Sequence, residues 1–406
     1  MHLNQNTTIF NIRNILIVAI VLRVIWAYLV PVEPVSDSFL YDAFAQSIEN
    51  CNGYAFPNGD ATVYWPVGAS AVYAAIYKIF GISYLPIVMF NIVIGVAIVW
   101  LTYSIARRYV QENVALIAAF LVTIWPILIE FTTILASELI FIFLILLAIY
   151  VWGCKQISPI LRAVIWGALI CAATYVRPTA LPIIVLLPIL EWIANKDWRA
   201  SIQSLFVAAI TAALLFSPWV YRNQQVFGEF VLVSANGGAN LWMGNNPNSN
   251  GGYTDLTDLP FKNEVTRDNY FKKEAINFIV HNPLSYAKLA LKRAVITYKA
   301  ETIGIVWNGH LEKRFSKKTL MGMKLISSIF WWFVLVFASM GVYKLLKDRQ
   351  LKPFNVLFVL AAFFFVFPIL TVGQDRYHLP MNPFLAVFAA YALQSLLAKY
   401  KLVRAN

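Results

Sequence analysis

Ten apolar runs, each long enough to cross a bilayer core, recur along this chain and dictate its class. They lie near 12–30, 83–105, 113–131, 137–154, 160–176, 179–195, 201–220, 321–345, 354–372 and 380–398. A helix needs roughly 20 residues to span the hydrocarbon, and lipid offers no partner to an unpaired backbone group. The expected fold class is therefore an all-α polytopic membrane protein. Of 406 residues, 60% are hydrophobic and only 13% charged, which is too apolar for a soluble chain of this length. The net charge of +12 then reports cytoplasmic loops, not nucleic-acid binding. The first run is long, interrupted by Arg23 and without a small-x-small cleavage site, so it reads as a span and not as a cleaved leader. Of Cys51, Cys154 and Cys171 only Cys51 falls where an oxidising compartment would meet it, and no structural disulfide is expected.

Basic residues in the short connections set the orientation. Arg13 precedes the first run, Arg107 and Arg108 end the second, Lys155 and Arg162 separate the fourth and fifth, and Lys196 and Arg199 follow the sixth. Lys344, Lys347, Arg349 and Lys352 follow the eighth, and Lys399, Lys401 and Arg404 close the chain. With ten spans all of these fall on one side, which puts both termini in the cytoplasm. Three parts result: a transmembrane module over 1–220 with a first external loop at 31–82, an external loop domain over 221–320, and C-terminal transmembrane helices over 321–406. Inside the loop domain, Phe230 to Ser234 alternates like a strand and residues 266–281 read as a helix. Asn282-Pro283 opens another, with Leu284, Ala287, Leu291, Ala294, Val295 and Tyr298 on one side and Lys288, Lys292 and Lys299 on the other. That pattern predicts an amphipathic helix lying in the membrane interface. Arg23, inside the first span, costs roughly 2.5–3.5 kcal/mol at the bilayer centre; it either snorkels outward or faces inward to an acid or phosphate.

Chemistry concentrates in the first loop. Glu33, Asp37, Asp42 and Glu49 lie there with no basic residue between Pro31 and Glu49. Ser36 reads as a helix N-cap, and acids just after it suit the positive end of a helix dipole. Leu40, Phe44 and Ile48 form one apolar stripe, while Asp37 and Tyr41, four apart, share a different face. The chain has no Gly-x-Gly-x-x-Gly, no phosphate-cradling Gly-Lys-Ser/Thr loop and no His/Cys set at metal spacing, so no cofactor is indicated. What remains on the outer side is carboxylates, Asp37, Asp42, Glu130 and Glu138, and arginines, Arg177, Arg222 and Arg376. A carboxylate can take the proton of an acceptor hydroxyl, worth roughly 10²–10⁴ in rate. Arginines can hold a phosphate leaving group as its charge grows. The bland readings stand beside these: Asp37 and Glu138 as helix-start charges, Asp42 as a solvated acid, the arginines as interfacial anchors.

The residues that carry this chemistry occur in an order that resembles a known family. Arg23, Asp37 with Tyr41, Tyr-Trp-Pro-Val-Gly at 64–68 before Tyr73 and Tyr77, Phe80-Gly81 and Ser137-Glu138 come first. Tyr-Val-Arg-Pro-Thr at 175–179, Ser-Pro-Trp-Val-Tyr-Arg-Asn at 217–223, Asn-Gly-Gly-Ala-Asn-Leu-Trp at 236–242, Gly-Asn-Asn-Pro at 244–247 and Asp-Arg-Tyr-His-Leu-Pro at 375–380 follow. Over nearly its whole length the chain resembles the membrane glycosyltransferases of the GT-C fold, in particular the protein O-mannosyltransferase and aminoarabinose transferase-like group of glycosyltransferase family 39. The resemblance implies a GT-C-like bundle of about ten transmembrane helices with an external loop domain. It implies transfer of a hexosyl or pentosyl unit from a polyprenyl-phosphate donor to an acceptor hydroxyl of a protein, lipid or glycan, on the outer face of a bacterial plasma membrane. Asp37 matches the catalytic base and Glu138 its helper. Tyr41, Asp42, Arg177, Arg222, Asn240, Trp242, Arg376 and Tyr377 are the expected substrate-binding residues, with no metal ligand assigned and a divalent metal left open. The chain departs from the family in flanking Asp37 with Ser36 and Ser38 instead of a second acid, and in carrying Pro66-Val67 where a Pro-Pro pair is common. Competing classes are a transporter or flippase of lipid-linked sugars, which calls for inverted repeats and ionisable groups at mid-membrane, and a polymerase or ligase of lipid-linked oligosaccharides.

Overall fold

The computed structural model describes residues 10–256, 259–352 and 354–405, with side chains through 398; the side chains of Lys399, Lys401 and Arg404 lie outside the described residues. The chain opens with α1 (Ile12–Leu29), then the first-loop helices α2 (Asp37–Glu49) and α3 (Gly68–Phe80), and continues through α4 (Tyr84–Ala106), α5 (Glu112–Thr123) and α6 (Pro126–Glu130). Next come α7 (Glu138–Trp152), α8 (Pro159–Val176), α9 (Ile183–Asn195) and α10 (Trp198–Phe227). The 221–320 segment contributes α11 (Gly237–Gly244), α12 (Glu264–His281), α13 (Pro283–Tyr298), α14 (Ile303–Val306) and α15 (Gly309–Arg314). The chain ends with α16 (Lys317–Lys347), α17 (Val356–Leu370) and α18 (Asn382–Ala405).

All ten apolar runs form helix. Among the described residues seven helices are long and apolar enough to span, and α5 with α6 makes an eighth if taken as one span bent by 57°. The two others, α7 and α17, have 15 residues each, or about 22 Å at 1.5 Å per residue. Both are short of a full bilayer core and both end beside the cavity described below. One continuous apolar core joins α1, α3–α5, α7–α10 and α16–α18.

Arg23 illustrates how the bundle absorbs a charge. It is fully buried, so it faces inward, but what it meets is backbone: its Nη1 donates to the carbonyls of Ala19 (3.2 Å) and Thr123 (3.5 Å). Thr123 ends α5 just before Pro126 and the bend, so its oxygen has lost its ladder partner and a side chain supplies one. Gly95 makes the room, since a Cβ there would lie 2.6 Å from the Arg23 Nε. Of the two alternatives the inward one is found, with carbonyl oxygens in place of an acid or phosphate.

Two features of the loop region differ from expectation. Residues 230–234 form no strand among the described residues, and the backbone bends at Leu232 and Val233. Side chains take their carbonyls instead: Trp219 Nε1 donates to Val233 O (2.8 Å) and Asn223 Nδ2 to Val231 O (3.0 Å). The amphipathic helix α13 forms, and its Leu284, Leu291 and Val295 are exposed, as an interfacial face requires. Tyr298 belongs to the opposite, buried face, stacked on Phe365 at 4.6 Å between ring centroids.

Candidate active site

The first loop is held against α10 and α12 by polar side chains. Arg222 donates to the carbonyls of Thr62 (2.9 Å) and Tyr54 (3.0 Å). Glu264, in the first turn of α12, accepts from Thr62 Oγ1 and Val63 N, both at 2.8 Å. Val63, Val231, Ala235 and Val265 pack beneath these bonds. The loop thereby becomes a fixed wall instead of a mobile connection, and α2 presents its first turn to the interior.

The turn into α2 is closed by a different serine from the expected one. Ser36 makes no side-chain capping bond and has φ 52°. Ser38 closes the turn: its Oγ accepts from Val35 N and donates to Val35 O, each at 2.8 Å. A backbone so turned carries the Ser36 side chain away from the helix N–H groups it was expected to cap.

Asp37 then enters a cluster of four charges. Arg376 Nη2 donates to Asp37 Oδ2 at 2.6 Å, and Arg376 Nη1 reaches Glu138 Oε1 at 3.5 Å. Glu138 is also paired with Arg177, whose Nε donates to Ser137 Oγ at 2.8 Å. The Asp37 side chain is 25% exposed and that of Glu138 fully buried, so Asp37 is open to the cavity whereas Glu138 is linked to it only through its arginines. Burial opposes the charge on Arg376, but Asp37 and Glu138 outweigh it and raise its pKa above the ordinary range. The guanidinium also lies 4.2 Å over the Trp307 ring and 5.5 Å over that of Tyr377, two cation–π contacts that favour its charge. Tyr41 stacks on Trp65 at 5.2 Å. Burial, assisted by Glu138, pushes its phenol up to about 12, so it remains a neutral hydrogen-bonding group.

These residues line a cavity of about 1640 Å³. Its walls bring together Asp37, Tyr41, Arg177, Asn240, Arg376 and Tyr377, six of the expected residues, with Glu138 directly behind. Three expected residues do not reach it. Asp42 is buried and accepts from the hydroxyls of Tyr77 (2.6 Å) and Tyr84 (2.9 Å); one residue past Tyr41 on the helix, it points to the bundle instead of the cavity. Arg222 is occupied by the first-loop carbonyls. Trp242 lies against Phe271 of α12, with ring centroids 6.5 Å apart.

Other cavity residues were given no site role from the sequence, although Tyr64 and Asp375 stood in the quoted motifs. Trp307, Tyr64, Tyr253, Gln374 and Asp375 all line the wall. Asp375 Oδ2 accepts from Thr302 N (3.0 Å), Thr302 Oγ1 (2.7 Å) and Ile303 N (3.1 Å), and so caps α14 across 73 residues. Beside it His378 and Glu301 pair at 2.8 Å, both fully buried. The Asp-Arg-Tyr-His string was visible as a motif, but nothing in its spacing announced what its acid and its imidazole would hold.

The arrangement, an all-helical membrane bundle with a cavity lined by its loops, is of the GT-C type of fold. Residues 65–221, less than half of the chain, match the family model described as dolichyl-phosphate-mannose-protein mannosyltransferase. Among solved structures the chain is similar to the archaeal oligosaccharyltransferase AglB from Archaeoglobus fulgidus, in complex with an inhibitory peptide and a dolichol-phosphate. That match has 17% identity and a TM-score of 0.56, over 97% of this chain and 51% of that one. It is also similar to ArnT from Cupriavidus metallidurans bound to undecaprenyl phosphate, at 12% identity and a TM-score of 0.59, over 94% of this chain and 59% of the other. At these identities the likeness is one of fold, and this chain spans about half the length of the archaeal enzyme. A sequence comparison with curated proteins gives no match.

Proposed function

We propose that this protein moves a hexosyl or pentosyl unit from a polyprenyl-phosphate donor to an acceptor hydroxyl of a protein, lipid or glycan at the outer face of a bacterial plasma membrane, with both termini cytoplasmic. The observation that carries the reading is Asp37, part-exposed in the wall of a large cavity and held by Arg376 beside a Glu138–Arg177 pair. In the reaction Asp37 takes the proton of the acceptor hydroxyl as its oxygen bonds to the sugar C1. The bond from C1 to the phosphate oxygen breaks, and polyprenyl phosphate leaves with the electron pair. Arg376 holds the Asp37 carboxylate in one orientation, and Glu138 acts by orienting Arg376 and Arg177. Tyr377 and Asn240 line the space a sugar would fill, offering a ring face and an amide. The transfer as written draws on no cofactor.

The match to the mannosyltransferase family model and the fold shared with two proteins whose structures hold dolichol-phosphate or undecaprenyl phosphate support a lipid-linked donor. A transporter of such lipids needs an ionisable site at mid-membrane, and Arg23, the buried arginine in the middle of the first span, is taken up by backbone carbonyls. Purified protein supplied with a polyprenyl-phosphate sugar and an acceptor extract should release polyprenyl phosphate and glycosylate the acceptor. Efficient transfer from a nucleotide sugar with no lipid carrier present would contradict the reading.

A further inference from the structure

Three cations line the cavity, Arg177, Lys299 and Arg376, and they differ in what faces them. Arg177 is paired with Glu138, and Arg376 with both Asp37 and Glu138. Asp375 stands in the same wall and adds a further acid. Two arginines against Asp37, Glu138 and Asp375 leave that end of the cavity without surplus positive charge. Lys299 belongs to none of the ion pairs among the described residues; it is exposed and lines the cavity.

Its placement is fixed although its ammonium is free. Lys299 follows the last turn of α13, and its carbonyl accepts from Trp332 Nε1 of α16 at 3.0 Å. Ile296, Ala300, Phe364, Phe367 and Pro368 belong to the same cavity wall, on α13, just after it, and on α17. An unpaired, strongly hydrated point charge on a flexible stem therefore belongs to the same cavity wall as these apolar side chains and the neutralised cluster.

We propose that Lys299 binds the phosphate of the lipid carrier, with the isoprenoid chain running along Ile296, Phe364 and Phe367. The inference rests on the transferase reading above and assigns the role that the two ion-paired arginines leave open. A sugar–phosphate–prenyl diester carries one negative charge. Cleavage of the C1–O bond leaves a monoester that carries close to two near neutral pH, as phosphomonoesters do. A cation not already compensated by a carboxylate gains most from that second charge, so Lys299 favours the leaving group more than the ground state.

The test uses the full chain in nanodiscs of zwitterionic lipid, with undecaprenyl phosphate as the probe, on wild type and Lys299→Arg, Lys299→Ala and Lys299→Glu. Loss of one hydrogen bond to a charged group predicts about tenfold weaker binding for alanine or more, weaker still for glutamate, and near-wild-type binding for arginine. Melting temperatures close to wild type would place the loss in binding and not in folding. Alanine and glutamate variants that bind like wild type would overturn the assignment while leaving the transferase reading standing. Equal competition by inorganic phosphate or by phosphatidylglycerol vesicles would also overturn it, reducing Lys299 to a general anion contact or an interfacial anchor. Wild-type protein that binds no polyprenyl phosphate would remove both readings together.

Discussion

Asp37 and Asp42 lie on one short helix five residues apart, and their surroundings give them different chemistry. Asp37 keeps a quarter of its side chain open to the cavity and has a single arginine for a partner. Asp42 is closed off, its two oxygens each taken by a tyrosine hydroxyl. Asp42→Asn keeps the shape but turns one acceptor into a donor facing a phenol, at a cost of about 1–3 kcal/mol. We expect its melting temperature to fall by several degrees while turnover of the folded fraction stays within a few-fold of wild type. Tyr77→Phe should show the same split in thermal melts and single-turnover assays. A large loss of turnover in Asp42→Asn with an unchanged melting temperature would move the base from Asp37 to Asp42. The pairing of Asp37 with Tyr41 was legible because four residues make one helical turn. The burial of Asp42 was not, because Tyr77 and Tyr84 reach it from 35 and 42 residues away.

Among the elements, the loop that carries Arg376 is held from both sides. Asp375 caps α14, and His378 binds Glu301 just before it, so the guanidinium between them has little freedom. Asp375→Asn retains one oxygen acceptor but loses the charge that gathers three donors. We expect kcat to drop about tenfold, equivalent to about 1.4 kcal/mol of transition-state stabilisation, with donor affinity near wild type in equilibrium binding. The first loop depends in the same way on Arg222. Removing a guanidinium that donates to two carbonyls should destabilise by about 2 kcal/mol, so Arg222→Ala should melt lower without a change in polyprenyl-phosphate affinity. A selective loss of that affinity would restore the phosphate role the sequence suggested. Arg222 sits in a motif next to Trp219 and Tyr221, which marks an interface. Its real partners are carbonyls 160 and 168 residues distant, and carbonyls leave no mark in a sequence.

For the whole molecule, the apolar runs made the helices legible, since bilayer thickness fixes their length and lipid leaves the backbone no other solution. The bend between α5 and α6 hides inside one such run, where only Pro126 hints at it. The cavity was legible in part. Its acids and arginines stand out against an apolar background, but Trp307 looks like any interfacial tryptophan until Arg376 is placed over it. Asp37 and Arg376 meet across 339 residues, a distance no local pattern encodes. The orientation proposed from the basic loops predicts that Cys51, which is exposed, and a cysteine replacing exposed Asn248 react with an impermeant thiol reagent from outside intact cells. Labelling only after permeabilisation would reverse the sidedness and move the cavity to the cytoplasmic face. Whether Asp37 is the base of a transfer from a lipid phosphate is decided in one preparation of wild type and Asp37→Asn. Undecaprenyl-phosphate binding and single-turnover release of polyprenyl phosphate from a lipid-linked sugar would be measured side by side. Asp37→Asn should bind the lipid about as wild type does and transfer at least about 100-fold more slowly; transfer at the wild-type rate by Asp37→Asn would show that Asp37 is not the base.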